Sequence, residues 1–164
     1  MSDEHRMYEL EYPSPAVGEG APAGPTLIIA MQGYADAGHA VEGSAQHLKA
    51  ALESRTVATF NNDELIDYRS RRPVVTLHQH EISNIDDLEL DMRVLRDTEG
   101  KPFLLLSGPE PDLRWEAFSE AVADLVERFD VAETICLYAA PMGAPHTRPL
   151  VVLSLIHISE PTRR

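Results

Sequence analysis

An α/β domain is the fold class this sequence predicts, and three observations predict it. Short unbroken apolar runs, Leu27–Met31 and Phe103–Leu106, read as strands buried on both faces. Two longer stretches instead repeat apolar residues at helical spacing: Val41, Ala45, Leu48 and Leu52, then Phe118, Val122, Leu125 and Phe129. The two patterns alternate, and a strand, a helix and a second strand make a parallel crossover unit. With 164 residues, 43% of them hydrophobic, the chain has material for one sizeable core.

Taken in order, residues 1–25 are expected as a flexible lead-in, because Pro13, Pro15, Pro22 and Pro25 alternate with Gly18, Gly20 and Gly24. Within it, Met7–Leu10 has enough apolar character for a short packed arm and no more. The strand at Leu27–Met31 passes through Gly33 and Gly38 into the first helix, for which Asp36 is the expected N-cap. Thr56–Phe60 is the second strand, and Pro73–Leu77 reads as another. From Asp87 to Arg96 the helix formers conflict with strict alternation of Leu88, Leu90, Met92 and Val94 against Glu89, Asp91 and Arg93. Period two outweighs propensity, so a half-exposed strand is expected, joined to Phe103–Leu106 as a hairpin. Pro109, Pro111 and Asp112 open the second helix, Thr134–Tyr138 is the strand after it, and Leu150–Val152 is a last strand.

Charge and cysteine content narrow the function. Lys and Arg number 14 against 27 Asp and Glu, a net charge of -13, so binding nucleic acid through a broad basic face is disfavoured. No apolar run approaches the roughly 18 residues a membrane span requires, and the acidic start Ser2-Asp3-Glu4 is wrong for a signal peptide. The single cysteine, Cys136, fits a cytoplasmic protein and sits in an apolar strand, where an inert core thiol is expected. The tail 153–164 departs in composition and closely resembles a translated sequencing adapter. It is expected to be non-native, with residues 26–152 the front part of a longer domain.

Four strings are candidates for chemistry. Gly33–Gly38 lies where α/β proteins cradle phosphates, but no Lys-Ser/Thr follows, and Asp36 occupies the anion's place, so a tight turn competes. In 61–73, Asp63 or Glu64 would serve as acid or base and Arg69 or Arg72 would grip an anion; a loop held by its own ion pairs competes. Gly108–Trp115 brings Glu110 and Asp112 to a helix N-terminus, with Arg114 and Trp115 beside them; Trp115 is a binding platform or a wedge between helix and sheet. In Pro145–Pro149, His146 and Arg148 supply a base and an anion grip, or anchor a proline-bracketed loop. His78 and His80 would share a strand face, but no third ligand has metal-site spacing, so no metal is expected. Ser107 lacks the Gly-x-Ser-x-Gly context of a nucleophile. No cofactor motif is present.

Four ordered blocks carry a family resemblance: Gly33-Tyr34-x-Asp36-Ala37-Gly38; Thr59-Phe60 through Asp63-Glu64-Leu65-x-Asp67-Tyr68-Arg69-x-Arg71-Arg72-Pro73; Phe103–Leu106 with Gly108-Pro109-Glu110-Pro111-Asp112-x-Arg114-Trp115; and Pro145-His146-Thr147-Arg148-Pro149. Together they resemble the proteasome assembly chaperone 2 family in its actinobacterial-type branch, over about Leu27 to Val152. The resemblance implies a three-layer α/β/α fold with a mixed, mostly parallel sheet, akin to nucleoside phosphorylases. It also implies a soluble homo-oligomer working through protein contacts, with proteasome-related partners. Relatives that dock on proteasomes can end in a hydrophobic-Tyr-any motif, whereas this chain ends Thr162-Arg163-Arg164. The alternative is a phosphorylase-like enzyme or small-molecule binder that uses the four loops after the strands.

Overall fold

The computed structural model describes residues 7–13, 16–17, 23–85, 88–143, 147–149 and 152. The strand expected at Leu150–Val152 and the tail 153–164 lie almost wholly outside the described residues. In chain order the elements are β1 (Tyr8–Leu10), β2 (Thr26–Gln32), a 3-10 turn (Ala37–His39) and α1 (Ala40–Ala51). Then come β3 (Ser54–Phe60), the one-turn α2 (Asn62–Leu65), β4 (Val75–His78) and β5 (Glu81–Ile85). The series closes with β6 (Asp91–Arg96), β7 (Pro102–Pro109), α3 (Trp115–Arg128) and β8 (Glu133–Cys136).

Six strands form one sheet in the order β1-β3-β6-β7-β2-β8, and β4 and β5 form a separate pair. The sheet is mixed, and the mostly parallel arrangement is corrected. Among the described strands, β7-β2-β8 pair in parallel, while β1-β3, β3-β6 and β6-β7 are antiparallel. The reason is the β6–β7 hairpin: it lies between β2 and β3, so the strand–helix–strand unit expected from sequence crosses over two strands instead of pairing its own. β7 and β8 are likewise joined through α3 and separated by β2.

The helices lie on opposite faces, as alternation along each strand requires. Val41 and Ala45 of α1 pack with Ala30, Leu95 and Leu105, while Phe118, Ala121 and Leu125 of α3 pack with Leu27, Leu104 and Leu106. Leu104 and Leu105 therefore serve different layers and are both fully buried. Each such side chain withdrawn from water contributes about 1.5–3 kcal/mol. Part of the lead-in joins the larger cluster: Met7 and Tyr8 are buried, β1 pairs with β3, and Tyr8 rests against the ring of Phe60.

Two burial expectations are corrected. β6 is buried on both faces rather than half-exposed, because α1 covers the polar side of the alternation. There Asp91 is 3% exposed, held by Arg93 Nε at 2.6 Å and by Lys49 Nζ of α1 at 3.7 Å. Cys136, expected in the core, is exposed. Among the described residues its strand β8 is an edge of the sheet, with all four residues exposed. An apolar run says that a strand is to be covered, and not by what.

Candidate functional site

The carboxyl ends of β2 and β7 lie side by side and feed helices on opposite faces of the sheet. That divergence opens a crevice, the usual place for a ligand in an open α/β sheet. A cleft of about 330 Å³ lies on the β2 side, lined by Gln32, Gly33, Asp36, His39, Glu42 and Arg71. A second cleft, of about 400 Å³, lies at the β1–β3 edge between Tyr8, Glu9, Thr59, Phe60 and Asn61–Asp63.

The turn after β2 is built for close approach. Gly33 packs directly against the carboxylate of Glu110, where a Cβ would collide, and Gly38 has φ 68°, a conformation glycine adopts without strain. Asp36 then caps α1 from outside its first turn, accepting the N–H groups of Val41 at 2.7 Å and Glu42 at 3.1 Å. The expected capping role is met, although the residue at the helix boundary itself is His39. Both Asp36 carboxylate oxygens are thereby engaged at the helix end that attracts anions, so no phosphate cradle remains there.

The loop 61–73 and the turn 110–115 are stitched to each other. The Asp67 N–H donates to Asp112 Oδ2 at 3.0 Å, and Asp112 and Leu113 both donate their N–H groups to the Leu65 carbonyl. Glu64 pairs with Arg114, and Tyr68 donates to Asp63 Oδ1 at 3.1 Å. Arg69 forks onto Asp67 through Nε at 3.1 Å and Nη2 at 3.2 Å. The side chain and backbone N–H of Arg69 hold the Asp67 carboxyl below its ordinary pKa, and Asp67 raises that of Arg69. Glu110 accepts the Tyr34 N–H at 3.4 Å and donates its own N–H to the Gln32 carbonyl at 2.7 Å. These are the internal pairs that compete with a catalytic reading of the same carboxylates.

The remaining candidates are dispersed. Arg72 is exposed without an ion-pair partner among the described residues. Trp115 is 43% exposed and meets Phe118 edge-on at 5.9 Å. Phe118, not Trp115, is the buried wedge between α3 and the sheet. Arg148 is exposed, and His146 lies outside the described residues. Asp36 lines one cleft and Asp63 the other, so the candidate carboxylates do not converge on one pocket. Ser107 is 1% exposed, too deep to meet a substrate.

The histidine expectation is corrected as well. His78 ends β4, whereas His80 sits in the hairpin turn at φ 73° beside Gln79 at φ 49°. Two central residues with positive φ make the turn that matches a hairpin's twist, which removes His80 from the strand face.

Arg71 is the cleft-lining residue that the sequence did not single out. It donates to the Gln32 carbonyl at 3.2 Å, approaches Asp112 Oδ1 at 3.4 Å and enters the β2 cleft. Nothing local separates it from Arg69 and Arg72. Asp36, His39 and Glu42 were also not grouped, yet their ligand atoms lie within 4.8 Å of one another. Spacing of three residues across a turn into a helix is the signal that was there. His39 Nδ1 meets Glu42 Oε2 at 3.0 Å, and Asp36 is committed to backbone N–H groups, so the trio is already partnered.

The PAC2 family model matches residues 30–164. The chain belongs to the PAC2 family. Among solved structures, a Corynebacterium glutamicum protein of unknown function is 66% identical with TM-score 0.85, covering 88% of this chain and 54% of that one. The Mycobacterium tuberculosis protein Rv2714, also of unknown function, is 52% identical with TM-score 0.84, covering 88% and 50%. A PAC2 family protein from Streptomyces avermitilis is 28% identical with TM-score 0.64, covering 76% and 54%. The M. tuberculosis proteasome-assembly chaperone homologue Rv2125 shares the fold at 24% identity and TM-score 0.67, covering 76% and 53%. This PAC2 chain thus spans about half the length of the solved relatives it matches. No curated protein matches it. Among the described residues no helix is long and apolar enough to cross a membrane.

Proposed function

We propose that this PAC2 protein acts without catalysis, by associating with itself and with protein partners, in the manner of the proteasome assembly chaperones to which its family is related. One observation carries the reading: the polar residues at the carboxyl edge are engaged with one another. Glu64 holds Arg114, Arg71 holds Asp112 and Arg69 holds Asp67. A general acid or base needs a free proton-transfer path and a perturbed environment, and a loop of satisfied ion pairs is instead a rigid surface for a partner. The single cysteine, Cys136, is an exposed free thiol and accords with a reducing, cytoplasmic location. The proteasome-related partner rests on the family and on one fold relative, the proteasome-assembly chaperone homologue Rv2125.

The test combines the purified protein with purified proteasome α and β subunits and follows their assembly by native electrophoresis and sedimentation velocity. Faster assembly, or a stable complex with the α subunits, is expected; neither appearing overturns the proteasome-related part. A second reading, a small-molecule site akin to that of the phosphorylases, is favoured by the position of the β2 cleft at the carboxyl end of a parallel strand. A thermal-shift series with nucleosides, nucleotides and inorganic phosphate separates the two. A native-state ligand at a hundred times its Kd adds about 2.7 kcal/mol of stability, and under the non-catalytic reading no shift is expected.

A further inference from the structure

Two side chains buried beneath α1 carry oxygens that no protein group satisfies. Ser107 is 1% exposed and Asp91 3%, and neither Ser107 Oγ nor Asp91 Oδ1 has a hydrogen-bond partner among the described residues. Buried polar groups are almost always paired, with protein or with ordered water, because leaving one unpaired costs more than a hydrogen bond returns. The sheet register brings these two together. Asp91 of β6 stands directly opposite Ser107 of β7, and Ser107 stands opposite Ala30 of β2. Opposite residues share a face, and Ala30 packs with Val41 and Ala45, so the row Asp91–Ser107–Ala30 lies under α1. Directly opposite side chains have Cβ atoms about 4.5–5.5 Å apart, a gap that a serine hydroxyl closes only if the carboxylate leans toward it. Asp91 instead directs Oδ2 to Arg93 Nε at 2.6 Å, and its Oδ1 lies 3.7 Å from Lys49 Nζ of α1, beyond hydrogen-bond length. On the other side of Ser107, Ala30 offers only a methyl, where a longer side chain would fill the space beside the hydroxyl.

We propose that Ser107, Asp91 and Lys49 form a binding site for one water molecule between the sheet and α1. The Ser107 hydroxyl and the Lys49 ammonium donate to the water, and the water donates to Asp91 Oδ1. Three partners are the usual number for a buried water. The chemistry of the three groups selects this occupant. Asp91 repels an anion, Lys49 and Arg93 repel a cation, and an apolar group would leave both oxygens unpaired. The water joins β6, β7 and α1 at one point, in a layer whose buried cluster is otherwise aliphatic. Apolar packing has no direction of its own, and a hydrogen-bonded bridge does, so the site fixes where α1 rests on the sheet.

A crystal structure of the full chain at atomic resolution reads the site directly, and water–amide NOEs read it in solution. A water peak is expected within hydrogen-bond distance of Ser107 Oγ, Asp91 Oδ1 and Lys49 Nζ. An NOE from water to the backbone amide of Asp91 or Ser107, with the sign of a long-lived water, is expected beside it. Ser107→Ala is expected to lose both signals and to keep the contact between Asp91 and Arg93. Ser107 Oγ bonded directly to Asp91 or to a backbone carbonyl, with no peak, overturns the proposal. So does an ion at that position, or a peak unchanged in Ser107→Ala, which leaves the hydroxyl no part in holding it. Should the variant fail to fold, the wild-type peak and NOE decide: both present support the site, and both absent overturn it.

Discussion

The chain contains two antiparallel hairpins that look alike in sequence and end in opposite environments. β6 and β7 alternate or run apolar residues, and Met92, Leu95, Leu104, Leu105 and Leu106 are fully buried between the helical layers. β4 alternates as well and β5 does so across a register shift, yet Leu77 and Ile82 stand about two-thirds in solvent. Alternation makes an amphipathic ribbon in both. Whether that ribbon is core or surface depends on what the topology lays over it.

Breaking the comparison begins in the buried hairpin. Leu104→Ala is expected to cost about 2–5 kcal/mol in urea unfolding, since it opens a cavity under α3. Asp91→Ala is expected to cost about 2 kcal/mol, because it strips a 3%-exposed carboxylate from Arg93 and Lys49, both of which keep some access to water. Its Oδ1 makes no hydrogen bond to the described protein groups, so the loss falls mainly on the Arg93 contact. Asp36→Ala removes the α1 cap, for about 1 kcal/mol on the same measurement. Under conditions that keep the chain monomeric, Leu77→Ala is expected to change unfolding by less than about 0.5 kcal/mol, as surface substitutions do. A cost for Leu77→Ala near that of Leu104→Ala would erase the contrast between the hairpins.

The smallest expected effect concerns pH. The Asp67 carboxyl titrates lower in the folded protein because Arg69 holds its charged form. Its contribution to stability is therefore present above the unfolded value of about 3.9 and is lost as pH falls through the lower folded value. An NMR titration is expected to find Asp67 below the ordinary carboxylate range. Arg69→Gln is expected to return it upward with little change in melting temperature, since the pair is exposed.

The elements that were legible in the sequence are those whose pattern is local. Leu27–Met31, Val41–Leu52 and Phe118–Phe129 satisfy one period over several turns or a whole strand, and each lies in its expected element. The candidate site was legible only in pieces. Asp36 was visible as a cap because capping is local, and the ion pairs of 61–73 were visible because partners stand a few residues apart. Arg71 was not, since its partners Gln32 and Asp112 lie 39 and 41 positions away along the chain.

By itself, then, the sequence determined the alternation of strands and helices, the acidic surface and the family blocks. It did so because propensity, periodicity and charge act over neighbouring residues. Only the tertiary structure decided that β6 lies between β3 and β7, that Cys136 is exposed, and that an aliphatic hairpin face is bare among the described residues. Those outcomes depend on which distant strand pairs with which, and pairing is settled by the burial of both faces at once.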